Sequence, residues 1–172
     1  MHHITKDELK SLLREIPVER QRLMVLVSFL HGLRVSEVIN LTGASIRDGH
    51  LTVPRLKGSL KTTQPFVYSA DPELDEFHAL TVLSKTALPK ERLFQMTRFG
   101  VYKLIRRAGL RAGIPVHKLH PHALKHGCAM AIIGAGIEYT RQYLGHRTIS
   151  STGEYVRVSD ETASRKVAGL LG

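Results

Sequence analysis

The last third of the chain contains side chains of the types that act on phosphodiesters. His122, Lys125 and His126 lie within five residues, His146 follows in a Leu-Gly-His-Arg sequence, and Tyr155 comes nine residues after that histidine. Imidazole and ammonium groups move protons and stabilise anionic oxygens. A phenol beside cations and a proton acceptor can act as a nucleophile. In a basic protein this spacing predicts phosphodiester chemistry on DNA.

The charge of the chain limits its classes of partner. Of 172 residues, 25 are Lys or Arg and 15 are Asp or Glu, which gives a formal net charge of +10 with histidine neutral. A polyanion is the expected partner of so basic a small protein, because each neutralised phosphate releases condensed counterions. The alternative, that the charge serves solubility alone, stays open at this stage.

Cysteine usage and hydropathy bear on location. Cys128 is the only cysteine, so an intrachain disulfide is excluded and a reducing compartment is expected. The longest apolar run, residues 23–30, is interrupted by Ser28 and is too short to cross a bilayer. We therefore expect a cytoplasmic, nucleoid-associated protein with no membrane partner.

Two earlier segments add cationic groups. Arg34 stands three residues before Glu37, and a guanidinium presents a planar fork of donors that matches two phosphate oxygens. Arg55, Lys57 and Lys61 lie together after an expected strand, where a lysine on a turn can reach a scissile phosphate or protonate a leaving hydroxyl. Each segment has a simpler interpretation, namely a surface ion pair and a solvated basic turn.

A metal site is the main rival interpretation of the histidines. His117, His120, His122, His126 and Cys128 fall within twelve residues. The spacing lacks the paired ligands of structural zinc and the glutamate of the His-Glu-x-x-His pattern. We therefore predict no metal site.

Periodicity, capping and turn signals predict the elements that must position these side chains. Helices are expected at about 6–15, 17–30, 36–41, 71–83, 97–112, 121–134, 138–144, 148–156 and 160–170. A hairpin is expected across 46–53, with a third strand at 65–68. The predicted fold is mainly α (α+β), a helical single domain over residues 1–172 with a small three-stranded antiparallel sheet.

Taken in order, these motifs resemble the catalytic domain of the tyrosine recombinase (phage integrase) family. The matching segments are Gly-Leu-Arg34-x-x-Glu37, Lys57 in the hairpin, His122-x-Leu-Lys125-His126, Leu-Gly-His146 and Tyr155. Individually each is weak, but five in the correct order over nearly the whole chain form a specific pattern. The stretches after Arg55 and around His146 are particularly similar to the short recombinases that invert fimbrial promoter elements.

The resemblance implies a site-specific DNA recombinase that needs neither cofactor nor metal. Tyr155 would attack the scissile phosphate and form a 3′-phosphotyrosyl link, which stores the phosphodiester energy. Arg34 and Lys125 would bind the nonbridging oxygens. The implied partner is double-stranded DNA, with a tetramer assembled on paired sites.

The resemblance also assigns the remaining roles. Lys57 would protonate the leaving 5′-oxygen, His122 would assist proton transfer, His146 would hydrogen-bond the phosphate, and Glu37 would orient the site. Further DNA contacts are expected from Arg55, Lys61, Arg98, Lys103, Arg106, Arg107 and Arg147.

Several residues compete for these roles. Lys61 replaces Lys57 if the hairpin register differs, and His120 lies close to His122 but lacks the same continuation. Tyr139 and Tyr143 are rival nucleophiles, although both precede His146. The C-terminal segment with Val167, Leu170 and Leu171 is expected to dock either into a neighbouring protomer or onto its own core.

Lys125 departs from the family pattern, which has arginine at this position. A lysine keeps the charge but loses the bidentate fork. Three explanations are compatible with this lysine. It is a natural variant compensated elsewhere, for example by Arg147, or the mark of a slow or degenerate enzyme, or a laboratory substitution. The alternative functions are therefore a catalytically impaired, sequence-specific DNA-binding protein of the same fold, or an activity like that of the type IB topoisomerases.

Overall fold

Most of the chain folds into helices, which are accompanied by one small sheet. The structure, a computed structural model, describes residues 2–56, 58–153, 155 and 160–171. The α-helices are α1 (Lys6–Arg14), α2 (Glu19–Leu30), α3 (Val35–Ile39), α4 (Phe77–Thr86), α5 (Arg98–Arg111), α6 (Pro121–Ile132), α7 (Ile137–Tyr143), α8 (Ser150–Gly153) and α9 (Asp160–Leu171). The strands are β1 (Ile46–Arg47), β2 (His50–Val53) and β3 (Thr62–Pro65). The predicted class, mainly helical with a three-stranded antiparallel sheet, is confirmed.

Helix α1 begins where its sequence signal places it. Thr5 Oγ1 accepts the Glu8 N–H at 3.2 Å, and the Glu8 carboxylate accepts the Thr5 N–H at 2.9 Å, so the predicted capping box forms. Leu9, Leu12 and Leu13 are buried on one face. In the same way, the Thr97 side chain caps the basic helix α5.

The sheet starts from the predicted hairpin. Asp48 and Gly49 both have positive φ (51° and 73°), as a two-residue turn between right-twisted strands requires. The third strand lies earlier than the predicted 65–68. It is Thr62–Pro65, paired with β2 from Val53 back to His50. Residues beyond Pro65 leave the ladder because β2 itself begins at His50, and the Val67 N–H donates to Glu76 instead.

The helix predicted at 71–83 is divided in two. A short 3-10 turn (Pro72–Leu74) ends at Asp75, which is extended, and α4 begins at Phe77. The break follows from the side chain of Glu76, which is fully buried and engaged by the ring of His31, 45 residues away. A continuous helix would have to give up this contact.

Helix α2 is the centre of the core, since residues 23–29 are all buried. It packs against α6, and the two approach closely at Gly127. A Cβ at this position would lie 2.3 Å from the Ile4 carbonyl oxygen and 2.5 Å from the Phe29 ring. This packing holds α6, which carries His122, Lys125 and His126, against the end of α2.

The helices predicted at 121–134, 138–144 and 160–170 are confirmed to within two residues, although the first ends in a 3-10 turn (Ile133–Ala135). The helix predicted at 148–156 corresponds to α8, and residues 154 and 156 lie outside the described part of the chain. Val167 and Leu170 on α9 are 51% and 82% exposed, which does not fit the alternative that this segment packs onto its own core. Among the described residues, no helix combines the length and apolar character needed to cross a membrane.

Candidate active site

A cleft of about 560 Å³ brings together most of the predicted catalytic side chains. It is lined by Arg34, Gly58, Ser59, His122, Lys125, His126, His146, Arg147, Ser151 and Tyr155. These residues come from the start of α3, the loop between β2 and β3, helix α6, and α8 with the segments that flank it. Lys57, the predicted proton donor, lies outside the described residues.

Arg34 is fixed at the N-terminus of α3 by Glu37. Its backbone N–H donates to Glu37 Oε2 at 2.7 Å, and its Nη1 donates to Glu37 Oε1 at 2.9 Å. Nη1 also donates to Ser59 Oγ at 3.2 Å and to the Leu56 carbonyl at 3.4 Å. Within the described part of the chain, all hydrogen bonds of this guanidinium use Nη1. The Nε and Nη2 donors therefore remain for a ligand in the cleft.

Glu37 is not the surface partner that its spacing first suggested. The residue is 3% exposed, and its carboxylate also accepts the Leu56 N–H (3.2 Å) and Arg55 Nη1 (3.3 Å). Burial by itself raises the pKa of Glu37, but the N–H groups of Arg34 and Leu56 and the charges of Arg55 and Lys125 outweigh it and lower the pKa below its usual value. Glu37 therefore remains an anion and orients Arg34.

Arg55 requires a correction to the sequence-based interpretation, which made it a DNA contact. Its side chain is completely buried. It donates to Glu37 Oε2, to Thr62 Oγ1 and to the backbone carbonyls of His31, Gly32 and Tyr143, at 2.9–3.3 Å. We call Arg55 and these acceptors the interior network. With its donors committed inside the protein, the guanidinium is not available to a phosphate, and Arg55 instead ties the sheet to α2, α3 and α7.

Lys125 faces the cleft but is 4% exposed. Its Nζ donates at 2.8 Å to the Gly32 carbonyl, which also accepts Arg55 Nη1. Burial, together with the charges of Arg55 and Arg34, outweighs the attraction of Glu37 and lowers the pKa of Lys125 to about 7. Unlike an arginine, this side chain therefore changes charge near neutral pH.

His146 is held neutral at the edge of the cleft. Burial, together with the charges of Lys125, Arg34 and Arg55, lowers the pKa of His146 to about 4. Its Nδ1 lies 2.9 Å from Thr152 Oγ1, and Thr152 is fully buried. When Thr152 donates to Nδ1, the hydrogen of the ring is on Nε2, where it can be donated to a phosphate oxygen.

The turn before His146 depends on glycine. Gly145 has φ +69°, and a Cβ there would lie 2.5 Å from the Leu60 carbonyl oxygen. The Leu60 N–H donates to the Gly145 carbonyl at 2.8 Å. A backbone hydrogen bond therefore joins the Leu-Gly-His sequence directly to the loop between β2 and β3. In the sequence, this loop includes Lys57, the expected proton donor.

Tyr155 contacts a histidine inside the cleft. Tyr155 is 8% exposed, and its hydroxyl oxygen lies 2.7 Å from His126 Nδ1. The rival tyrosines lie elsewhere: Tyr143 Oη donates to the Leu30 carbonyl at 2.9 Å, and Tyr139 is 73% exposed. Burial raises the pKa of Tyr143, which makes its phenol a poorer nucleophile. Of the three, only Tyr155 lines the cleft.

A small apolar cluster backs Tyr155. It consists of Cys128, Ala129, Leu144 and Tyr155. The Cys128 thiol lies 3.6 Å from the Leu30 carbonyl oxygen, and burial raises its pKa to about 12. Cys128 therefore remains a thiol and serves as a packing residue.

The predicted DNA contacts other than Arg55 are on the surface. The exposed residues in this set are Lys61, Arg98, Lys103, Arg106, Arg107 and Arg147. Four of them form one basic side of α5, and Lys103 Nζ lies 4.5 Å from the centre of the Phe99 ring. Arg147 also lines the cleft.

Other competing residues are absent from the cleft lining. His120 is the N-cap of α6, and Lys61 is exposed at the end of the loop between β2 and β3. In the described part of the chain, no group of three His, Cys, Asp or Glu side chains is arranged to hold a metal ion.

Sequence reasoning did not include His126 among the site residues. The available signal was its position four residues after His122, on the same side of α6. The two rings have centroids 5.4 Å apart, and the His126 ring is 5.6 Å from that of Tyr155. His126 is thus in ring contact with both His122 and Tyr155 in the cleft.

The chain is similar to known proteins over most of its length. The model of the phage integrase family matches residues 2–162. The type 1 fimbriae regulatory protein FimE of Escherichia coli (strain K12) is 30% identical over 161 residues, which cover 88% of this chain and 79% of FimE. The tyrosine recombinase XerA of Pyrococcus furiosus is 34% identical over 170 residues, which cover 91% of this chain but 57% of XerA.

Solved structures share the fold. The XerH site-specific recombinase bound to its difH substrate superimposes with a TM-score of 0.73 at 17% identity, covering 97% of this chain and 54% of XerH. The λ integrase tetramer bound to a Holliday junction gives a TM-score of 0.65 at 19% identity, covering 85% of this chain and 47% of the integrase. The chain thus spans about half the length of these structures.

Proposed function

The chain belongs to the phage integrase family, and we propose that it is a site-specific DNA recombinase that cleaves and rejoins DNA through a 3′-phosphotyrosyl intermediate at Tyr155. The observation that carries the proposal is the position of Tyr155, whose side chain lines the same cleft as Arg34, Lys125 and His146. In-line attack on a phosphodiester requires a nucleophile, cationic side chains and a neutral hydrogen-bond donor around the same phosphate position.

Each side chain has a role that its environment supports. Arg34 offers Nε and Nη2 to the nonbridging oxygens, and Glu37 keeps its guanidinium oriented. Lys125 supplies a second positive charge when protonated. His146, neutral, donates a hydrogen bond to the phosphate. Lys57 retains its proposed role as the proton donor to the leaving 5′-oxygen.

The partner that we propose is double-stranded DNA, bound by an oligomer. The XerH and λ integrase structures contain DNA, and the latter is a tetramer. The exposed basic side of α5 and Arg147 beside the cleft would contact phosphates. By the same analogy, we propose a cytoplasmic tetramer on paired sites, with residues 1–172 as a single catalytic domain.

The experiment that tests the proposal is a covalent trap. Duplexes retained by the protein are selected from a random pool and rebuilt as suicide substrates, each nicked near a candidate cleavage position. We expect the wild-type protein to form an adduct that survives denaturation, and Tyr155→Phe to form none. Tyr143→Phe is the matched control, because it removes a hydroxyl bonded to the Leu30 carbonyl outside the cleft and should still form the adduct. Equal trapping by wild type and Tyr155→Phe would exclude Tyr155 as the nucleophile.

A second function is favoured by one observation, the state of Lys125. Its Nζ is buried and donates to the Gly32 carbonyl, and its pKa is lowered to about 7. This position therefore lacks a permanently charged, bidentate donor to the phosphate. A sequence-specific DNA-binding protein with little catalysis has the same fold and the same basic surface. Adduct formation by Lys125→Arg but not by the wild-type protein would favour this second function.

A further inference from the structure

The contact between His126 and Tyr155 points beyond the roles assigned above. We infer that His126 is a catalytic residue of the strand-cleavage step, in which its Nδ1 accepts the proton of the Tyr155 hydroxyl. This inference rests on the proposed function. The observation that carries the inference is the 2.7 Å distance between His126 Nδ1 and Tyr155 Oη. The two residues are 29 positions apart in the sequence.

A proton acceptor is needed because of the chemistry of phenols. A free tyrosine has a pKa near 10, so its hydroxyl is almost fully protonated at neutral pH and attacks phosphorus poorly. The nearby cations stabilise a phenolate, but the proton itself must go to a base within hydrogen-bond reach, about 2.6–3.2 Å. His126 Nδ1 is within this range in the absence of substrate.

Two other groups that line the cleft, Lys125 and His146, are directed elsewhere. Lys125 Nζ donates to the Gly32 carbonyl, and His146 Nδ1 is engaged by Thr152 Oγ1. The family resemblance gives proton transfer to His122, but that ring lies one helical turn before His126, with its centroid 5.4 Å from the His126 ring. The His126 ring has its centroid 5.6 Å from that of Tyr155, and its Nδ1 is the atom that contacts the nucleophile.

The position of His126 on α6 suits a base that must be held still. Its neighbours in sequence, Lys125 and Gly127, are both buried, and Gly127 packs directly against Ile4 and Phe29. Pre-organised groups on rigid elements give catalysis that needs no rearrangement during the reaction. The base is thus part of the core framework.

The step balances as follows. The Oη–H bond of Tyr155 breaks, and the proton passes to Nδ1 of a neutral His126, giving an imidazolium. The Oη–P bond forms while the bond between phosphorus and the 5′-oxygen breaks. The leaving 5′-oxygen takes a proton from a separate general acid, the role proposed for Lys57. When a 5′-hydroxyl attacks the phosphotyrosine in the rejoining step, it gives its proton to the same group that acted as the acid, now in its basic form. His126 returns its own proton to the departing phenolate.

This assignment fixes the tautomer of His126. A neutral ring that accepts at Nδ1 must carry its hydrogen on Nε2. The opposite tautomer would donate from Nδ1 to the tyrosine oxygen and could not act as the base at this atom. The two arrangements have the same heavy-atom distance but differ in a measurable property.

The first test is nitrogen NMR of the free protein labelled with ¹⁵N-histidine, at a pH where the imidazole is neutral. The protein has ten histidines, and the His126 signals are identified by their loss in His126→Asn. We expect an unprotonated, hydrogen-bonded Nδ1 and a protonated Nε2, with the Nδ1 shift altered in Tyr155→Phe. A hydrogen on Nδ1 of the neutral ring would overturn the inference without any DNA substrate.

The second test measures the rate of adduct formation on the selected suicide substrate in a single turnover. His126→Asn places an amide oxygen close to the original Nδ1 position, so it keeps a hydrogen-bond acceptor but cannot take up a proton. We expect its rate to fall by roughly 10²–10⁴-fold with DNA affinity unchanged, the usual range for loss of a general base. His117→Asn, an exposed histidine away from the cleft, is the control and should keep the wild-type rate.

A modified substrate separates a base from an acid. When sulfur replaces the bridging 5′-oxygen, the leaving group departs without a proton, so a defect in the general acid is relieved. We expect His126→Asn to remain slow on this substrate. A wild-type rate for His126→Asn on the ordinary substrate, or full recovery on the sulfur substrate, would overturn the role of His126 as base. An absence of adduct with the wild-type protein would instead count against the proposed function, and the NMR result would still decide the tautomer.

Discussion

Arg34 and Arg55 both bind the carboxylate of Glu37, but they belong to different regions of the molecule. Arg55 is the centre of the interior network, where its guanidinium is completely buried and donates five hydrogen bonds. Arg34 is at the edge of the cleft, with 22% of its side chain exposed, and the hydrogen bonds of its guanidinium to the described residues all use Nη1. The same residue type and the same anion thus give two different functions.

The difference teaches that the role of a cation depends on how many of its donors are already used. A buried charge is tolerated only when it is paired and its hydrogen bonds are satisfied, so Arg55 stabilises the fold and contributes nothing to a ligand. A catalytic cation must keep donors for the transition state, because only interactions that strengthen there increase the rate. Arg34 fits this second description. Three changes would break or sharpen the comparison.

The largest expected effect is on stability, from Arg55→Met. The substitution removes the cation beside buried Glu37 and the hydrogen bonds to three backbone carbonyls, two of which keep a second donor in Lys125 or Gln64. We expect the free energy of unfolding to fall by about 3–5 kcal/mol, chiefly because Glu37 loses its buried partner. Urea denaturation followed by circular dichroism measures it. The control is Arg22→Met, at an exposed arginine. If both variants unfold at the wild-type urea concentration, the interior network does not stabilise the fold.

A somewhat smaller effect, on activity, is expected from Arg34→Ala. Loss of oriented donors to a transition-state oxyanion typically costs about 10²–10³ in rate, or about 2.7–4 kcal/mol. The single-turnover rate of adduct formation should fall by this factor. Stability should fall less than in Arg55→Met, since Glu37 keeps Arg55 and the Leu56 N–H. An Arg34→Ala protein that unfolds as easily as Arg55→Met would erase the distinction between the two regions.

The smallest effect is a pH dependence at Lys125, which connects the two regions because its Nζ shares the Gly32 carbonyl with Arg55. Burial, with the repulsion of Arg55, lowers its pKa to about 7, so the wild-type protein loses this positive charge as the pH rises through neutrality. Arginine keeps its charge. The adduct-formation rate of Lys125→Arg divided by that of the wild-type protein should therefore rise with pH above 7, approaching about tenfold per pH unit.

This ratio is measured between pH 6 and 9, where effects of other titrating groups common to both proteins cancel. Bound phosphate favours the charged lysine, so the rise should begin at or above pH 7. A ratio that is constant over this range would mean that Lys125 does not titrate, or that its charge does not contribute to cleavage.

Local signals in the sequence were enough for elements and residues that depend on near neighbours. The capping box at Thr5, the Asp48-Gly49 turn and the Arg34–Glu37 pair each involve residues at most three positions apart. The order of the motifs then correctly indicated which tyrosine lies in the cleft. Spacing along the chain carries this information directly.

Three of the errors involve partners that are distant in sequence. Arg55 looked like a solvated basic residue because its acceptors, from His31 to Tyr143, lie 7 to 88 positions away. The break before α4 depends on the contact between Glu76 and His31, and the importance of His126 depends on Tyr155. Composition and periodicity contain no information about such pairs, so only the folded structure separates a structural arginine from a ligand-binding one.

The burial of Cys128 has a practical consequence for probing the molecule. Alkylating reagents react with thiolates, and a thiol with a pKa of about 12 is almost entirely protonated at neutral pH. Because it is the only cysteine, a second cysteine introduced on the surface can be coupled to a fluorophore selectively, without first removing Cys128. The slow rate at which Cys128 itself is modified then reports how often the cluster that it forms with Ala129, Leu144 and Tyr155 opens.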